Sequence, residues 1–473
     1  MRDFRRNGIQ NHDYSLAPLD SLSAIWAFND DRWNDALLCR MLIFIGDTGF
    51  PVEFIDGNGD LGFSIDRKKS SLKKTFLKWG VGQLTRFLSL FVKRTDALIV
   101  SSYLPAKELI KLQLSLSQFP LLHTSKNFHS EKKPDLDLRK SLASKIRYSS
   151  NKKLEVFLTE MLFYLLPVCY LEAFEDLNRL AKTKPWPKNP KFIFTSNSFD
   201  TDEIFKISAA SKVEVGCKYF TGQHGNNYGT YRYMNPSIEE ITADKFLTWG
   251  WIDGYIQHVP AFILKTAGIR KRHYNRLGGL LLIQVCLGHR VTTWDIYAEF
   301  YNYFEDQYKF ISELSESPKD KLVIRLHSGF QSQKWFELDR WRDFDATLNI
   351  EPGNLNVNDL ISKSRLVIYS YDSTGILESL SQNIPTLAFW QNGLDHLRET
   401  AKPYYQLLVD VGIVHFSPES ASAKTNDIWD DVDSWWFSGE VQNARELFCD
   451  RFARVSDSPI ADLKKYFGIV NNL

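Results

Sequence analysis

The apolar and polar positions of residues 364–390 follow the order of a strand, a helix and a second strand. Residues 366–369 and 386–390 are apolar runs, and residues 376–380 carry apolar side chains at helical spacing. The turn between them, Asp-Ser-Thr-Gly at 372–375, is small and polar. The segment therefore predicts one βαβ unit. Its turn would place hydroxyls and backbone N–H groups at a helix N-terminus, where the helix dipole favours a phosphate.

The same alternation of strands and helices continues through both halves of the chain and predicts an α/β fold with parallel sheets. We expect residues 123–153 to form a long exposed loop, residues 155–182 to form one helix kinked at Pro167, and residues 441–463 to form the last helix. The basic connector around 270–278 indicates a boundary between two domains. The predicted parts are an N-terminal domain (1–272), a second domain (273–440) and a C-terminal helical segment (441–473) that packs back on them.

Composition and charge narrow the class of protein. At 473 residues the chain is long enough for two domains, and its net charge of +1 gives no global argument for a nucleic-acid partner. The five cysteines are far apart and include no CxxC pair, which predicts reduced thiols in a cytoplasmic protein. The N-terminus lacks the apolar core of a signal peptide, and the longest candidate span, 161–171, is about half the length needed to cross a bilayer.

A second candidate loop follows the predicted strand 215–221, in the sequence Gly-Gln-His-Gly-Asn-Asn-Tyr-Gly of residues 222–229. The strand delivers His224 between glycines, which allow a backbone to approach a ligand closely. A histidine at the carboxyl end of a strand can act as a general base or as a partner of an oxyanion or phosphate. A structural loop histidine is the alternative.

A third candidate is the strand end 322–329, where Arg325 and His327 lie on the same side because strand side chains alternate. Both could meet a phosphate or a carboxylate, and a solvated edge is the alternative. At the 372–375 turn, the amides of Ser373, Thr374 and Gly375 would face a phosphate. The alternative there is that Asp372 or Ser373 only caps the helix.

The segment 67–94 carries nine Lys or Arg, no acid and interleaved aromatic residues. That composition suits an anionic membrane face or a lipid-linked acceptor, and a solvated helix face is the alternative. Two short matches to known motifs lack the neighbouring structure that those motifs require. The GxGxxG match at 57–62 is not followed by a helical pattern, and the DxD match at 431–433 lies away from the strand-end loops. We therefore predict no metal site.

Residues 222–229 together with 371–386 resemble a family of bacterial transferases from O-antigen and surface-carbohydrate gene clusters. More distantly they resemble GT-B enzymes with CMP-activated donors, namely capsule Kdo transferases and CDP-glycerol glycerophosphotransferases. The histidine-glycine loop, the Arg-x-His strand end and the Ser/Thr-rich turn before a helix match at 224–225, 325–327 and 373–374. Ser328 follows His327 where a proline is common in those relatives.

The resemblance implies a GT-B fold, in which two Rossmann-like domains face a central cleft and no cofactor or metal is needed. The expected function is transfer of a sugar from a nucleotide-sugar, with CMP-sugars favoured, to a surface-polysaccharide or lipopolysaccharide acceptor. The expected location is the cytoplasm, with peripheral contact of 67–94 with the anionic inner membrane.

The resemblance also implies roles for individual residues. His224 would be the catalytic base or would orient the acceptor. The expected donor-binding residues are Arg325, His327, Ser373, Thr374, Gly375 and Glu378, with Glu378 on the ribose. The expected acceptor or cleft residues are Gln223, Gly225, Asn226, Tyr228 and Asp372. Three other functions stay open: polyol-phosphate transfer from a CDP-polyol, epimerisation of a nucleotide-sugar, and a non-catalytic glycan-binding scaffold.

Overall fold

The computed structural model describes residues 16–28, 31–46, 88–123, 128–145, 153–234, 236–269, 274–285, 300–332 and 336–469. The predictions on 57–62 and on most of the basic segment, 67–87, lie outside these residues. Contacts divide the chain into two compact units: unit 1 is Met1–Ser101 with Leu116–Tyr219, and unit 2 is Ser102–Ser115 with Phe220–Leu473. The predicted domain boundaries stay predictions.

The described strands are, in chain order, β1 (Leu98–Val100), β2 (Ile193–Thr195), β3 (Tyr219–Gly222), β4 (Lys245–Thr248), β5 (His258–Pro260), β6 (Gly279–Ile283), β7 (Leu322–Arg325), β8 (Asn349–Glu351), β9 (Ser364–Tyr369), β10 (Thr386–Phe389) and β11 (Val414–His415). The described α-helices are α1 (Ser21–Phe28), α2 (Asp31–Ile45), α3 (Ala106–Ser115), α4 (Leu136–Lys145), α5 (Lys153–Leu165), α6 (Phe174–Lys182), α7 (Ser198–Thr201), α8 (Glu203–Val213), α9 (Ile238–Thr242), α10 (Phe300–Ser312), α11 (Glu316–Lys319), α12 (Gly329–Ser332), α13 (Glu337–Phe344), α14 (Val357–Lys363), α15 (Thr374–Ser381), α16 (Lys402–Asp410), α17 (Pro418–Ile428), α18 (Val432–Trp436), α19 (Gly439–Phe452) and α20 (Pro459–Tyr466).

Unit 1 contains the parallel pair β1 and β2, with Leu98 opposite Ile193. The prediction of one kinked helix over 155–182 is wrong, because α5 ends before Pro167 and α6 begins after it. Pro167 adopts an extended conformation (φ −55°, ψ 141°). Since proline also lacks an N–H donor, the helical hydrogen bonds stop there.

The prediction of an exposed loop over 123–153 is also wrong, because α4 lies within it. Arg139 of α4 is fully buried, and its Nε and Nη2 each donate to the Glu172 carboxylate over 2.7 Å. Its Nη1 donates to the carbonyls of Phe163 and Leu166. Helix α4 buries a charged side chain and its sequence is mostly polar. Its apolar positions therefore did not predict a helix.

Unit 2 is built on a six-stranded sheet of order β11-β10-β9-β6-β7-β8, in which every neighbouring pair is parallel. Successive residues of the central strands alternate between two cores. Leu281, Val367 and Ala388 pack with α15, α16 and α19, whereas Leu282, Ile368 and Leu387 pack with α10 and α17. Burial on both faces explains why these strands read as continuous apolar runs.

Unit 2 also contains β4, β5 and β3 from Phe220 onward, which pair in parallel, with Thr221 opposite Phe246 and Leu247 opposite Val259. The predicted α/β class with parallel strands is confirmed by these sheets. The predicted helix 441–463 is instead two helices, because α19 ends at Phe452 and α20 begins at Pro459. No helix within the described ranges is long and apolar enough to span a bilayer.

Candidate functional site

The candidate site lies at the carboxyl edge of the six-stranded sheet, where ligands bind in open α/β folds. The register sets Ile283 of β6 opposite both Arg325 of β7 and Tyr369 of β9, so these three strands end at one level. Arg325 and Tyr369 are separated by two strand spacings, about 10 Å. The loop after β9 then leads directly into α15. The predicted βαβ unit is confirmed, with its turn at this edge.

The loop after β3 contacts this turn inside unit 2. The backbone N–H of Asn226 donates to Thr374 Oγ1 over 3.2 Å. Its side-chain amide donates to Asp372 Oδ1 over 3.1 Å. A Cβ on Gly225 would lie 3.5 Å from Thr374 Oγ1, so the backbones approach closely here. Two of the predicted motifs, about 150 residues apart in sequence, therefore form one site.

Asp372 is the buried centre of that contact and is only 3% exposed. Besides Asn226, its carboxylate accepts from the Tyr405 hydroxyl at 3.2 Å and lies 3.0 Å from His396 Nε2. Its backbone carbonyl accepts from the Tyr231 hydroxyl at 3.1 Å. Burial, reinforced by the Asp372 charge, raises the pKa of Tyr231 and of Tyr405 well above the ordinary value. Asp372 is thus fully engaged in holding the turn.

Gln223 has a comparable role in the β3 loop, where it is 1% exposed. Its Oε1 accepts from the Trp249 N–H at 2.9 Å and from Trp251 Nε1 at 2.8 Å, and its Nε2 donates to the Gly225 carbonyl at 2.7 Å. Gly229 has a φ of +71°, and a Cβ there would lie 2.3 Å from the Trp251 ring. These contacts fix the path of the loop around His224.

Only a few of the assembled side chains remain partly exposed. Within residues 219–231 these are His224 and Asn227. In the turn they are Tyr371 and Thr374; the backbone of Gly375 is also partly exposed, while Ser373 is 4% exposed. Ser373 occupies the N-cap position of α15, but its side chain makes no capping hydrogen bond. Since the first N–H groups of a helix have no partner inside it, those of Thr374 and Gly375 can serve a ligand.

His224 is linked to a buried carboxylate through a tyrosine. Its Nδ1 lies 3.1 Å from the Tyr228 hydroxyl oxygen, and the Tyr228 O–H donates to Glu239 Oε1. Tyr228 is 2% exposed and Glu239 6% exposed. The His224 ring also lies against Tyr103, with 5.9 Å between ring centroids.

Arg325 and His327 end strand β7 at the same edge. Nε of Arg325 is buried and makes no hydrogen bond within the part of the chain that the structure describes. Burial, followed by the Arg325 charge, lowers the pKa of His327, so this ring is neutral at neutral pH. Its Nδ1 accepts from the Gly329 N–H at 3.1 Å, and a neutral ring then carries its proton on Nε2. Arg325 offers charge, and His327 offers an N–H donor.

Tyr371 lies beside this pair. Burial raises its pKa, and the nearby Ser373 hydroxyl and the Arg325 charge oppose the increase. The charge of Arg325 is therefore felt at Tyr371, the residue before the 372–375 turn. Glu378, one turn into α15, is 9% exposed and pairs with Lys265 Nζ at 2.7 Å. A ribose contact at Glu378 would share that carboxylate with Lys265.

One group of possible metal ligands occurs among the described residues: Glu240, Asp253 and His258. His258 Nδ1 lies 2.6 Å from Asp253 Oδ1, and His258 Nε2 lies 3.0 Å from Glu240 Oε2. The two ring nitrogens face different carboxylates, so His258 lies between Asp253 and Glu240.

The residues of the DxD string are engaged elsewhere. Asp431 caps α18, and Asp433 pairs with Tyr274 and with Arg276 Nε at 2.8 Å.

Five residues of the site were not predicted from the sequence: Glu239, Tyr231, His396, Tyr405 and Tyr371. The Ser-x-x-Glu capping box at 237–240 could have located the start of α9 next to Glu239. Nothing local indicates the contacts of Tyr231, His396 and Tyr405 with Asp372, or the influence of Arg325 on Tyr371, because these pairs are distant in sequence.

Comparison with known proteins gives one family match. A family model described as LIC12162 family transferase matches residues 7–467. A search of curated proteins finds no match.

Solved structures give weaker likenesses. The chain is similar to S. aureus MnaA in complex with UDP, at 12% identity over 80% of this chain and 98% of that chain, with a TM-score of 0.40. It is similar to the wall teichoic acid polymerase TagF at 10% identity, over 85% and 98% of the chains, with a TM-score of 0.37. It is similar to the spinosyn rhamnosyltransferase SpnG at 10% identity, over 78% and 99%, with a TM-score of 0.37. TM-scores this low support no functional argument.

Proposed function

Because the chain belongs to the LIC12162 family of transferases, we propose that it is a glycosyltransferase with a nucleotide-activated donor, a CMP-sugar being favoured. The acceptor in this proposal is a surface polysaccharide or lipopolysaccharide. The observation that carries it is the contact of the His224 loop with the start of α15, made by Asn226 and Thr374. That contact brings a candidate base next to a candidate phosphate site. The resemblance of both motifs to enzymes with CMP-activated donors favours the nucleotide.

The donor phosphate would lie at the N-terminus of α15. The N–H groups of Thr374 and Gly375 and the helix dipole favour an anion there. Arg325 supplies the positive charge, and His327 supplies an N–H donor from the end of β7. Charge-assisted hydrogen bonds of this kind are the strong ones, and they stabilise the phosphate as it leaves.

The acceptor hydroxyl would be bound beside His224. In the transfer, the acceptor oxygen forms a bond to the anomeric carbon, and the bond between that carbon and the phosphate oxygen breaks. The phosphate leaves with the bonding electron pair, and the acceptor proton goes to His224. Asn226, Gln223 and Asp372 would act by holding the two loops in place. These side chains are buried and already hydrogen-bonded within the protein, so they suit positioning better than contact with substrate.

The first experiment is a thermal unfolding panel with CMP, CDP, UDP and GDP, each with and without EDTA. A ligand at about one hundred times its Kd stabilises a fold by about 2.7 kcal/mol, which is a readable shift. We expect one cytidine nucleotide to stabilise the wild type selectively and independently of EDTA. Loss of the shift with EDTA would contradict metal-independent donor binding. No shift with any nucleotide would overturn the donor site.

A matched pair of variants sharpens this panel. Arg325→Gln removes the charge at the carboxyl edge of the sheet, and we expect it to abolish most of the shift. Arg342→Gln removes an exposed charge in the last turn of α13, where the chain turns back toward the start of β8. That side chain lies near the amino ends of the strands, so we expect the full shift to remain.

Three other functions give different outcomes. A polyol-phosphate transferase would transfer phosphate with the polyol and release CMP from a CDP-polyol. An epimerase would convert its donor without an acceptor. A glycan-binding scaffold would keep its function in cells after His224→Ala. Cytoplasmic location and membrane contact of residues 67–94 stay predictions, and flotation with anionic vesicles tests the second.

A further inference from the structure

We propose that Tyr228 and Glu239 form a relay that holds His224 in its Nδ1–H tautomer and makes Nε2 the basic nitrogen. The inference deepens the proposed function and rests on it in one respect, the use of His224 as a base. Tyr228 and Glu239 are positioning residues in this relay, because they act on substrate only through His224. The tautomer itself can be measured without any substrate.

The relay follows from the order of the three groups. Tyr228 lies between a ring nitrogen of His224, at 3.1 Å, and the carboxylate of Glu239, to which its hydroxyl is hydrogen-bonded. A tyrosine hydroxyl carries one proton and can donate only once, whereas an ionised carboxylate can only accept. The hydroxyl proton therefore points to Glu239.

The bond to His224 must then run in the opposite direction. Since the proton of Tyr228 is used, its oxygen can only accept from the ring, and Nδ1 of His224 carries the hydrogen. In a neutral imidazole one nitrogen donates and the other accepts, so Nε2 carries the lone pair. Histidine side chains in water favour the other tautomer. The relay is thus needed to select this one.

The burial of the relay keeps water from replacing it. Tyr228 and Glu239 are 2% and 6% exposed, whereas His224 is partly exposed. Glu239 is fixed by its own backbone, since its carbonyl accepts from Thr221 Oγ1 at 2.9 Å. Hydrogen bonds of ionised groups in such surroundings are stronger than in water.

The relay also accounts for the charge that develops during transfer. When Nε2 takes the proton of the acceptor hydroxyl, the ring becomes an imidazolium with a hydrogen on each nitrogen. Its Nδ1–H stays bonded to Tyr228, which stays bonded to the Glu239 carboxylate. No proton has to move along the relay, and the negative charge of Glu239 favours the cationic ring.

The other histidine of the site, His327, has the opposite tautomer. Its Nδ1 accepts from the Gly329 N–H, so its proton lies on Nε2, opposite to the arrangement inferred for His224. One histidine is arranged to donate to an anion, and the other is arranged to accept a proton.

The test is ¹⁵N NMR of the full chain labelled with ¹⁵N at the histidine rings, at a pH where the ring of His224 is neutral. The His224 signals are assigned by their absence in His224→Gln. We expect Nδ1–H in the wild type and a shift toward Nε2–H in Tyr228→Phe, which keeps the buried ring. Glu239→Gln should shift the same equilibrium while keeping the tyrosine. Tyr274→Phe, which removes a tyrosine–carboxylate bond to Asp433 in the same unit, should change nothing.

Two results would overturn the relay: an Nε2–H tautomer in the wild type, or an unchanged tautomer in folded Tyr228→Phe and Glu239→Gln. Thermal unfolding shows which variants are folded. Failure of the proposed function looks different, because it would appear as absent nucleotide binding in the wild type, which the histidine signals do not report.

Discussion

The backbone N–H of Asn226 donates to Oγ1 of Thr374 at 3.2 Å, and the two residues are 148 positions apart in sequence. This bond joins the loop that carries His224 to the first residue of α15. The side chain of the same asparagine reaches Asp372, so one residue makes both links. The proposed base and phosphate site are therefore positioned by the two links of Asn226 together with the bond from Tyr231 to the Asp372 carbonyl. Loss of an Asn226 link should affect both stability and binding.

Removal of the Asn226 side chain tests its link to Asp372 and keeps the backbone link to Thr374. Asn226→Ala leaves the buried Asp372 carboxylate with one donor fewer, which typically costs about 1–3 kcal/mol. Urea unfolding should show a loss of that size. The control is Asn227→Ala at the partly exposed neighbour, where we expect a change within about 0.5 kcal/mol. Equal effects of the two substitutions would contradict the role of Asn226.

Substitutions at two glycines distinguish the stability cost of backbone strain from that of a steric clash. Gly229 and Gly254 both have positive φ, +71° and +95°, but only Gly229 lies against another residue, Trp251. Gly254→Ala should therefore cost only the left-handed backbone strain, about 1–2 kcal/mol. Gly229→Ala should lose about 1–3 kcal/mol more, because its Cβ would overlap the Trp251 ring. Unfolding midpoints measure the difference, and similar losses would refute the packing argument.

Because of Glu337, the free energy of unfolding should fall as pH rises. It is 1% exposed, and neither carboxylate oxygen makes a hydrogen bond to the described residues. Burial raises its pKa from 4.5 to about 7, against the opposing charge of Arg340. Between these two values the folded protein binds more protons than the unfolded chain, so this group destabilises the fold progressively as pH rises through that window.

Substitution of Glu337 reveals this contribution. Glu337→Gln keeps the shape and cannot ionise, so it should gain stability relative to the wild type at pH 8 and gain little at pH 4. Urea unfolding at both values measures the gain. Glu399→Gln, at a side chain that is 85% exposed, should have the same small effect at both. A gain from Glu337→Gln that does not depend on pH would contradict the buried charge.

The sequence allowed the βαβ unit at 364–390 to be predicted because each of its signals is local. Apolar runs, helical spacing and the polar turn are all readable within one short segment. The strand end at Arg325 and the loop at His224 were found in the same way. Helix α4 was missed because its sequence is mostly polar and the side chain that it buries completely is Arg139, which pairs with Glu172.

The network behind the site could not be predicted for a related reason. Asp372 reads as a turn residue, and only the fold shows that Asn226, His396 and Tyr405 converge on it. Glu239 reads as a surface residue of a short helix, although its carboxylate accepts from Tyr228. Hydrogen bonds between distant segments produce no periodic pattern in a sequence. These partners could therefore be identified only from the structure.

The most direct test of the proposed donor site is calorimetric titration with CMP and with cytidine, which differ by the phosphate alone. We predict that CMP binds the wild type about tenfold more tightly or better, since a hydrogen bond to a charged group is worth about 1.5–3 kcal/mol. Arg325→Gln should remove most of that advantage, and Arg342→Gln should retain it. Equal binding of CMP and cytidine by the wild type, or an advantage that survives in Arg325→Gln, would contradict a phosphate site at α15 and β7.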